Sequence, residues 1–470
     1  MLEKRILDKL ASIVGKEDLF TSPEDLVCYS YDATPTPHLP DAVVLPSSVE
    51  EISSVLKLAN EEKIPVVPRG AGTNLSGGTV PVRSGIVMPL TRLNRIIEVD
   101  EENLTATVQP GVVLADFQRE VESRGLFYPP DPGSINVATM GGTVSEDAGG
   151  PRGVKYGTTK DYVKGLEVVT PRGEIIRAGG KTVKNVSGYD LVHLFVGAEG
   201  TLGIITEITV RLLPLPEAKR TCLAIFNTID AAAEAVSAII RKKIVPACLE
   251  LLDDVTMAHV EAYKPVGFPL GAEACLLIEV DGSAAEVPIL LERVSEACRQ
   301  QGAREVKVAQ TREESEALWT ARRIRFAALA RARPTIITED ATVPRPALPK
   351  AMRAIKEAAK KYDVQVGLVA HAGDGNIHPG IMCDARDAEE MHRVQLFTEE
   401  VFKVALELGG TLSGEHGIGL LKSCFLPWQH SDETMETMRR IKQALDPNNI
   451  LNPGKIFPGA ANSLHTEKTA

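Results

Sequence analysis

Long apolar runs are missing from this 470-residue chain. No stretch approaches the roughly 20 apolar residues that a membrane-spanning helix needs. A basic excess is missing too: 52 Lys and Arg stand against 63 Asp and Glu, a net charge of −11. That balance argues against nucleic acid, whose phosphates want a basic face, and against electrostatic docking on anionic lipid. Paired cysteines are also absent. Cys28, Cys222, Cys248, Cys275, Cys298, Cys383 and Cys424 include no CxxC spacing. Zinc ribbons and iron–sulfur clusters held by this chain alone are therefore not expected. An odd, scattered set suits a reducing compartment, and a cytoplasmic location is expected. At the N-terminus Leu2, Ile6, Leu7, Leu10, Ile13 and Val14 recur at helical spacing among mixed charges, unlike a secretion signal.

What is present is ordinary globular material, 44% hydrophobic and 24% charged. Its length allows about two to four folding units. The first third alternates short helices and strands: a helix over 49–61, strands over 64–68 and 85–88, a hairpin over 96–108, and a helix over 116–124. The stretch 128–159 is rich in Gly, Pro, Ser and Thr and reads as irregular, and a run of that length is either disordered or functional. Strands resume over 163–169, 174–178 and 202–213. Pro214 and Pro216 mark a boundary. Beyond it, strands over 221–226, 247–252, 274–279 and 364–370 interleave with helices over 230–242, 285–301, 313–331, 352–362, 388–408 and 434–445. This pattern predicts an α+β layer with one helical face. The polar tail 459–470 reads as disordered.

Glycines are clustered. Pro68-Arg69-Gly70-Ala71-Gly72-Thr73-Asn74 follows a buried strand and continues to Gly77-Gly78. Without Cβ atoms, successive backbone amides can converge on a diphosphate. Alone, such a loop serves a tight turn as readily as a ligand. It is no GxGxxG fingerprint, because Leu75 stands where the third glycine belongs, and no GK[ST] follows. Two further clusters, 129–150 and 197–203, also flank strands. Three such loops suit one extended ligand, and a dinucleotide has that shape.

Histidines are grouped as well. His371 and His378 share the stretch HAGDGNIHP, and SGEHGIG adds Glu415 and His416. Gly373 and Gly375 disfavour a helix, whereas strand–turn–strand geometry points both imidazoles one way. Two imidazoles and a carboxylate form an open ligand set for a divalent ion. Zinc leads, with iron or manganese as alternatives. Satisfied core or turn histidines are the competing reading of the same spacing.

From 1 to 458 the chain resembles the FAD-linked 2-hydroxyacid dehydrogenases of the vanillyl-alcohol oxidase/p-cresol methylhydroxylase flavoprotein superfamily. The motifs that carry the resemblance are PRGAGTNLSGG (68–78), PPDPGS (129–134), ATMGG (138–142), AGG (148–150), YGTTKDYV (156–163), SGYDL (187–191), GAEGTLGIIT (197–206), HAGDGNIHP (371–379), SGEHGIG (413–419) and NPGKIF (452–457). The types most similar are D-lactate dehydrogenase and the FAD subunit of glycolate oxidase.

The resemblance implies an α+β fold: a two-subdomain FAD-binding domain over 1–215, a cap with an antiparallel sheet flanked by helices over 216–425, and a C-terminal return over 426–458. It implies that Arg69, Gly70, Ala71, Gly72, Thr73 and Asn74 cradle the FAD diphosphate. Ser134, Thr139, Gly142, Ala148 and Gly149 would touch the flavin half. Glu199, Gly203 and Ile204 would lie toward ribose and adenine, with Asn452 on the returning segment. Thr73 stands where some relatives carry a flavin-linked histidine, so FAD is expected without a covalent bond. His371, His378 and Glu415 fall on the metal-ligand positions, His416 on that of the base, and Asn376 and Arg322 on substrate contacts. Relatives acting on longer diacids carry a lysine near 338–340; this chain has Thr338, Glu339 and Asp340, which implies a short D-2-hydroxyacid such as D-lactate or glycolate. The expected reaction is oxidation to the 2-oxoacid, with a metal acidifying the hydroxyl, His416 taking its proton, and hydride passing to flavin N5. Electrons would leave to an external acceptor such as an electron-transfer flavoprotein or an iron–sulfur subunit, and a homodimer is allowed. The alternative is a non-catalytic flavin-binding subunit of a glycolate oxidase-type complex, which should have lost the His–His–Glu–His set.

Overall fold

The computed structural model describes residues 2–268 and 271–458; the tail expected to be disordered lies outside them. Two larger sheets, with a two-stranded pair of Leu126–Phe127 and Leu213–Pro214, form the N-terminal part. In the first, Leu19–Phe20, Ala42–Val44, Ile86–Pro89 and Val66–Arg69 lie side by side, the last three in parallel. Helix Val49–Glu62 makes the crossover. Ser48 caps it by accepting from the Glu51 amide, Lys63 ends it in the left-handed region, and Ile52, Val55, Leu56 and Ala59 bury one face. The second sheet is antiparallel, in the order Ile96–Asp100, Thr105–Val108, Ile204–Arg211, Val163–Val169, Ile175–Gly179. The C-terminal segment comes back to the first sheet: Val66 N donates to Ile450 O and Asn452 N to Val66 O, both at 2.8 Å.

The eight-stranded sheet that follows is antiparallel throughout. Its order is Ala303–Val308, Ala218–Phe226, Ala274–Gly282, Cys248–Asp253, Gln365–His371, Asn376–Cys383, Thr335–Thr338, with Ala341–Thr342 also paired to Asn376–Cys383. Successive side chains alternate between two cores. Cys222, Ala224 and Phe226 join one cluster with helices Ile229–Arg241, Glu286–Gln300, Leu348–Lys361 and Ala388–Glu407. Leu223 and Ile225 join another with Asp254–Tyr263 and Arg325–Ala330. Both faces therefore carry helices, not one. The reason is visible in strand Ala274–Gly282, whose first eight residues are all buried and so need cover on both sides.

Two other expectations change. The stretch 128–159 is not irregular throughout: it contains helices Met140–Glu146 and Gly153–Tyr156. Thr139 caps the first, and Gly141 lets its backbone press against Pro110, where a Cβ would collide. The helix expected over 313–331 breaks at Ile324 (φ −78°, ψ −1°) into Arg312–Arg323 and Arg325–Ala330. Among the described residues no helix is long and apolar enough to cross a membrane.

Candidate active site

A cleft of about 660 Å³ lies between the glycine loops and one end of the eight-stranded sheet. Residues 69–74, Ser134, Thr139, Gly142, Ala148 and Gly149 form one wall; Arg322, His371, His378, Glu415 and His416 form the other. The loop 69–78 is folded around Asn74, whose Oδ1 accepts from Ser76 N (2.8 Å) and Gly78 N (2.7 Å). A Cβ on Gly70 would strike Thr139 Oγ1, and one on Gly149 would come within 2.6 Å of Glu415 Oε2. Glycine at these positions lets the loops meet each other and lets the first wall approach the second.

Five expected cofactor residues make contacts within the protein. The buried Arg69 guanidinium braces the loop from behind, donating to Tyr31 O at 2.6 Å and Thr79 Oγ1 at 3.3 Å. Gly203 and Ile204 do not reach the cleft. Ile204 is buried in the core that also holds Ile86 and Val169, and a side chain at Gly203 would collide with Val168. Asn452 is buried away from the cleft and donates to Gly78 O and Glu199 O, both at 2.8 Å. Glu199 does line the cleft, but both carboxylate oxygens accept backbone amides, from Ile418 and Gly419 at 2.7 Å each.

On the opposite wall, strand Gln365–His371 ends on one imidazole and strand Asn376–Cys383 carries the other, so a hairpin aims both at one point. Both are buried. His371 Nε2 and His378 Nε2 each lie 3.1 Å from Glu415 Oε1, and one ligand atom from each of the three falls within 4.8 Å of the others. His416 stacks on His378, with centroids 5.0 Å apart and planes at 20°. Burial, against the pull of Asp340, lowers the His416 pKa to about 3, so its imidazole is neutral. Burial works against the charged form of His371 too, but the Glu250 and Glu415 carboxylates outweigh it and raise His371 to about 10.

Three supporting residues were not expected from the sequence. Glu250, fully buried, faces His371 Nδ1 with Oε1 (2.6 Å) and Arg322 Nε with Oε2 (2.7 Å). An acid inside the apolar strand Cys248–Asp253 was its only sequence mark. Asp340, also fully buried, accepts through Oδ2 from Ser413 Oγ (2.5 Å) and from the amides of Gly414 (2.9 Å), Glu415 (3.1 Å) and His416 (3.0 Å). Arg325 lines the cleft beside Arg322. Asn376 is buried below this loop, where a Cβ on Gly414 would strike it, and does not line the cleft. Glu339 does not line the cleft either; its carboxylate is 4.0 Å from Lys422 Nζ.

The residues fit the groups that the motifs imply. On the glycine wall Asn74 Nδ2 and Glu146 Oε2 are buried without hydrogen-bond partners, as expected of atoms that meet a ligand. On the other wall His378 Nδ1 lacks a hydrogen bond while its Nε2 faces Glu415 Oε1, and an imidazole–imidazole–carboxylate set suits a divalent cation.

Comparison with known proteins supports FAD binding. The family described as "FAD linked oxidases, C-terminal domain" matches residues 215–456, and "FAD binding domain" matches 40–179. The chain is 50% identical over 458 residues to glycolate oxidase subunit GlcD of Bacillus subtilis, covering 97% of each chain. It is 37% identical to D-lactate dehydrogenase of Anaerostipes hadrus, covering 89% of each. Among solved structures it resembles p-cresol methylhydroxylase with a TM-score of 0.80 at 19% identity, covering 97% of this chain and 96% of that one. 4-Ethylphenol oxidase from Gulosibacter chungangensis gives the same score at 20% identity, covering 97% and 98%. These two share the fold. The chain belongs to the FAD-linked oxidases and is an FAD-linked oxidoreductase similar to glycolate oxidase subunit GlcD and D-lactate dehydrogenase.

Proposed function

We propose that this oxidoreductase converts a short D-2-hydroxyacid, D-lactate or glycolate, to the 2-oxoacid. The carrying observation is one cleft with glycine loops on one side and His371, His378, Glu415 and His416 on the other. FAD, when bound to the glycine wall, supplies a two-electron acceptor, and a dication held by His371, His378 and Glu415 supplies a Lewis acid. His416 is the base: its neutral imidazole has a free, buried Nδ1 and takes the substrate hydroxyl proton. Glu250 keeps His371 in one tautomer and orientation. Arg322 faces the cleft and offers donors to the substrate carboxylate. Gly149 abuts Glu415, so the two walls meet closely beside the candidate metal ligands. Electrons then leave to a protein acceptor, an electron-transfer flavoprotein or an iron–sulfur subunit. The name of the Bacillus subtilis relative, a subunit, supports a partner. A purely structural flavin subunit has no need of four convergent metal and base residues, and all four are present.

The test is anaerobic mixing of the purified, FAD-loaded protein with D- and L-hydroxyacids, following flavin absorbance. Bleaching by D-lactate or glycolate, and not by L-lactate, is the expected result. Yellow protein that no hydroxyacid bleaches, with zinc or manganese supplied, overturns the reading.

A further inference from the structure

The carboxyl of Glu146 has no part in the chemistry above. Glu146 closes helix Met140–Glu146 and lines the cleft on the glycine wall, and its Oε2 is buried without a hydrogen-bond partner. A second carboxyl faces it. A Cβ on Gly417 would come within 2.5 Å of Glu146 Oε2 and 3.0 Å of Glu199 Oε1, so a single glycine separates the two acids. Their surroundings differ. Glu199 accepts the Ile418 and Gly419 amides, one on each oxygen, both at 2.7 Å. Donors on both oxygens favour its charged form. Asp32, which also lines the cleft, likewise accepts from Thr34 N at 3.0 Å and Thr34 Oγ1 at 2.7 Å. Glu146 has no such donor on Oε2. Two neighbouring carboxyls in a buried site do not both ionise readily, and the one that lacks donors keeps the proton. Burial first, then Glu199 and Asp32, push the Glu146 pKa upward, against Asn74 and Lys455. Lys455 is the facing cation: it is buried, and its Nζ donates to Val80 O at 2.5 Å and Asn452 Oδ1 at 3.2 Å.

We propose that Glu146 meets FAD as a neutral carboxylic acid, its Oε2–H donating to an oxygen of the cofactor, so that FAD is held together with one proton. This rests on FAD occupying the glycine wall and is independent of the hydroxyacid reading. FAD carries a diphosphate, whose charge repels a carboxylate on the same wall. An acid that keeps its proton removes that repulsion and gives an otherwise idle oxygen a partner. Bound FAD therefore raises the Glu146 pKa further. By linkage, FAD affinity falls as pH rises through the Glu146 transition, by at most about tenfold per pH unit for a single proton. Lys455 titrates in the same range, since burial lowers it to about 8 against Asp32, Glu199 and Glu146. Loss of its charge also weakens the hold on an anion, so the two origins are separated by changing Glu146 alone.

The test uses the purified, FAD-loaded protein without substrate. The rate of FAD release on dilution is followed by flavin fluorescence from about pH 6 to about pH 9 at constant ionic strength. Wild-type release is expected to accelerate about 10-fold or more across this range. Glu146→Gln keeps a donor of the same length that cannot ionise. Its release is expected to stay within about twofold of the wild-type rate at about pH 6, whatever the pH. A wild-type rate that changes less than about twofold overturns the proposal. So does a Glu146→Gln protein with the wild-type pH dependence, which would assign the effect to Lys455 or another group. If Glu146→Gln is not recovered folded with FAD, Glu146→Ala decides by its slope: a flat profile supports the proposal, and the wild-type slope overturns it. Wild-type protein that takes up no FAD shows that the cofactor assignment has failed, and the proposal falls with it. The release profile needs no hydroxyacid, so failure of the hydroxyacid reading, seen as yellow protein that no hydroxyacid bleaches, is distinguishable from failure here.

Discussion

Glu250 Oε1 sits 2.6 Å from His371 Nδ1, with no exposed surface on the carboxylate that makes the contact. A buried carboxylate on the far nitrogen of an imidazole fixes which nitrogen faces the site and increases the basicity of that face. Glu250→Gln keeps the size and loses the charge. Retention of added zinc or manganese, measured as metal content after dialysis, is expected to fall about 10- to 100-fold in affinity. FAD content should not change, because Glu250 does not line the glycine wall.

His416→Asn should leave the protein yellow and metal-loaded but slow flavin reduction by the hydroxyacid about 10²- to 10⁴-fold. Stopped-flow absorbance under argon is the measurement. Reduction at the wild-type rate would remove His416 from its role.

Asp340→Asn addresses the loop that carries two of the four residues. Its Oδ2 collects one hydroxyl and three amide donors. Replacing a buried anion that accepts this many bonds should destabilise the protein by about 2–5 kcal/mol and misplace Glu415 and His416. The expected readouts are a lower Tm and a loss of metal larger than the loss of FAD.

Much of the site was legible because its chemistry is local in sequence. The glycine loops announce themselves by composition, and HAGDGNIHP places two imidazoles on a tight hairpin. The supporting shell was not legible, because its members meet only after folding. Glu250 is 121 residues from His371, and Asp340 is 76 from His416. Likewise Glu199 and Asn452 carry motif positions that suggested cofactor contact, yet their polar atoms are occupied by the backbones of Ile418, Gly419 and Gly78. The second helical face was missed for a related reason. Strands buried on both sides do not alternate, so their sequence does not state how many faces need cover.

Stability should carry an acid-favoured component from Asp253. Burial raises its pKa to about 6, and Lys356 at 3.8 Å only partly opposes this. The folded value lies above the unfolded one, near 3.9. The contribution of the neutral form is thus complete below about pH 4 and disappears as pH rises through about 6. Asp253→Asn retains the side-chain oxygen that caps helix Asp254–Tyr263. It is expected to raise Tm by a few degrees at pH 8 and to change it little at pH 4.5, by calorimetry. An equal shift at both values would contradict the assignment.

The strap from Ser413 to Leu421 is fastened at both ends. Asp340 grips its first residues, while Glu199 and the Ser76 carbonyl grip Ile418 to Leu421. One ribbon of chain thus borders both guests, and whatever tightens it for one tightens it for the other. Occupancy of the two proposed sites is therefore expected to be linked: saturating with FAD should slow escape of an added dication, and the dication should in turn slow escape of FAD.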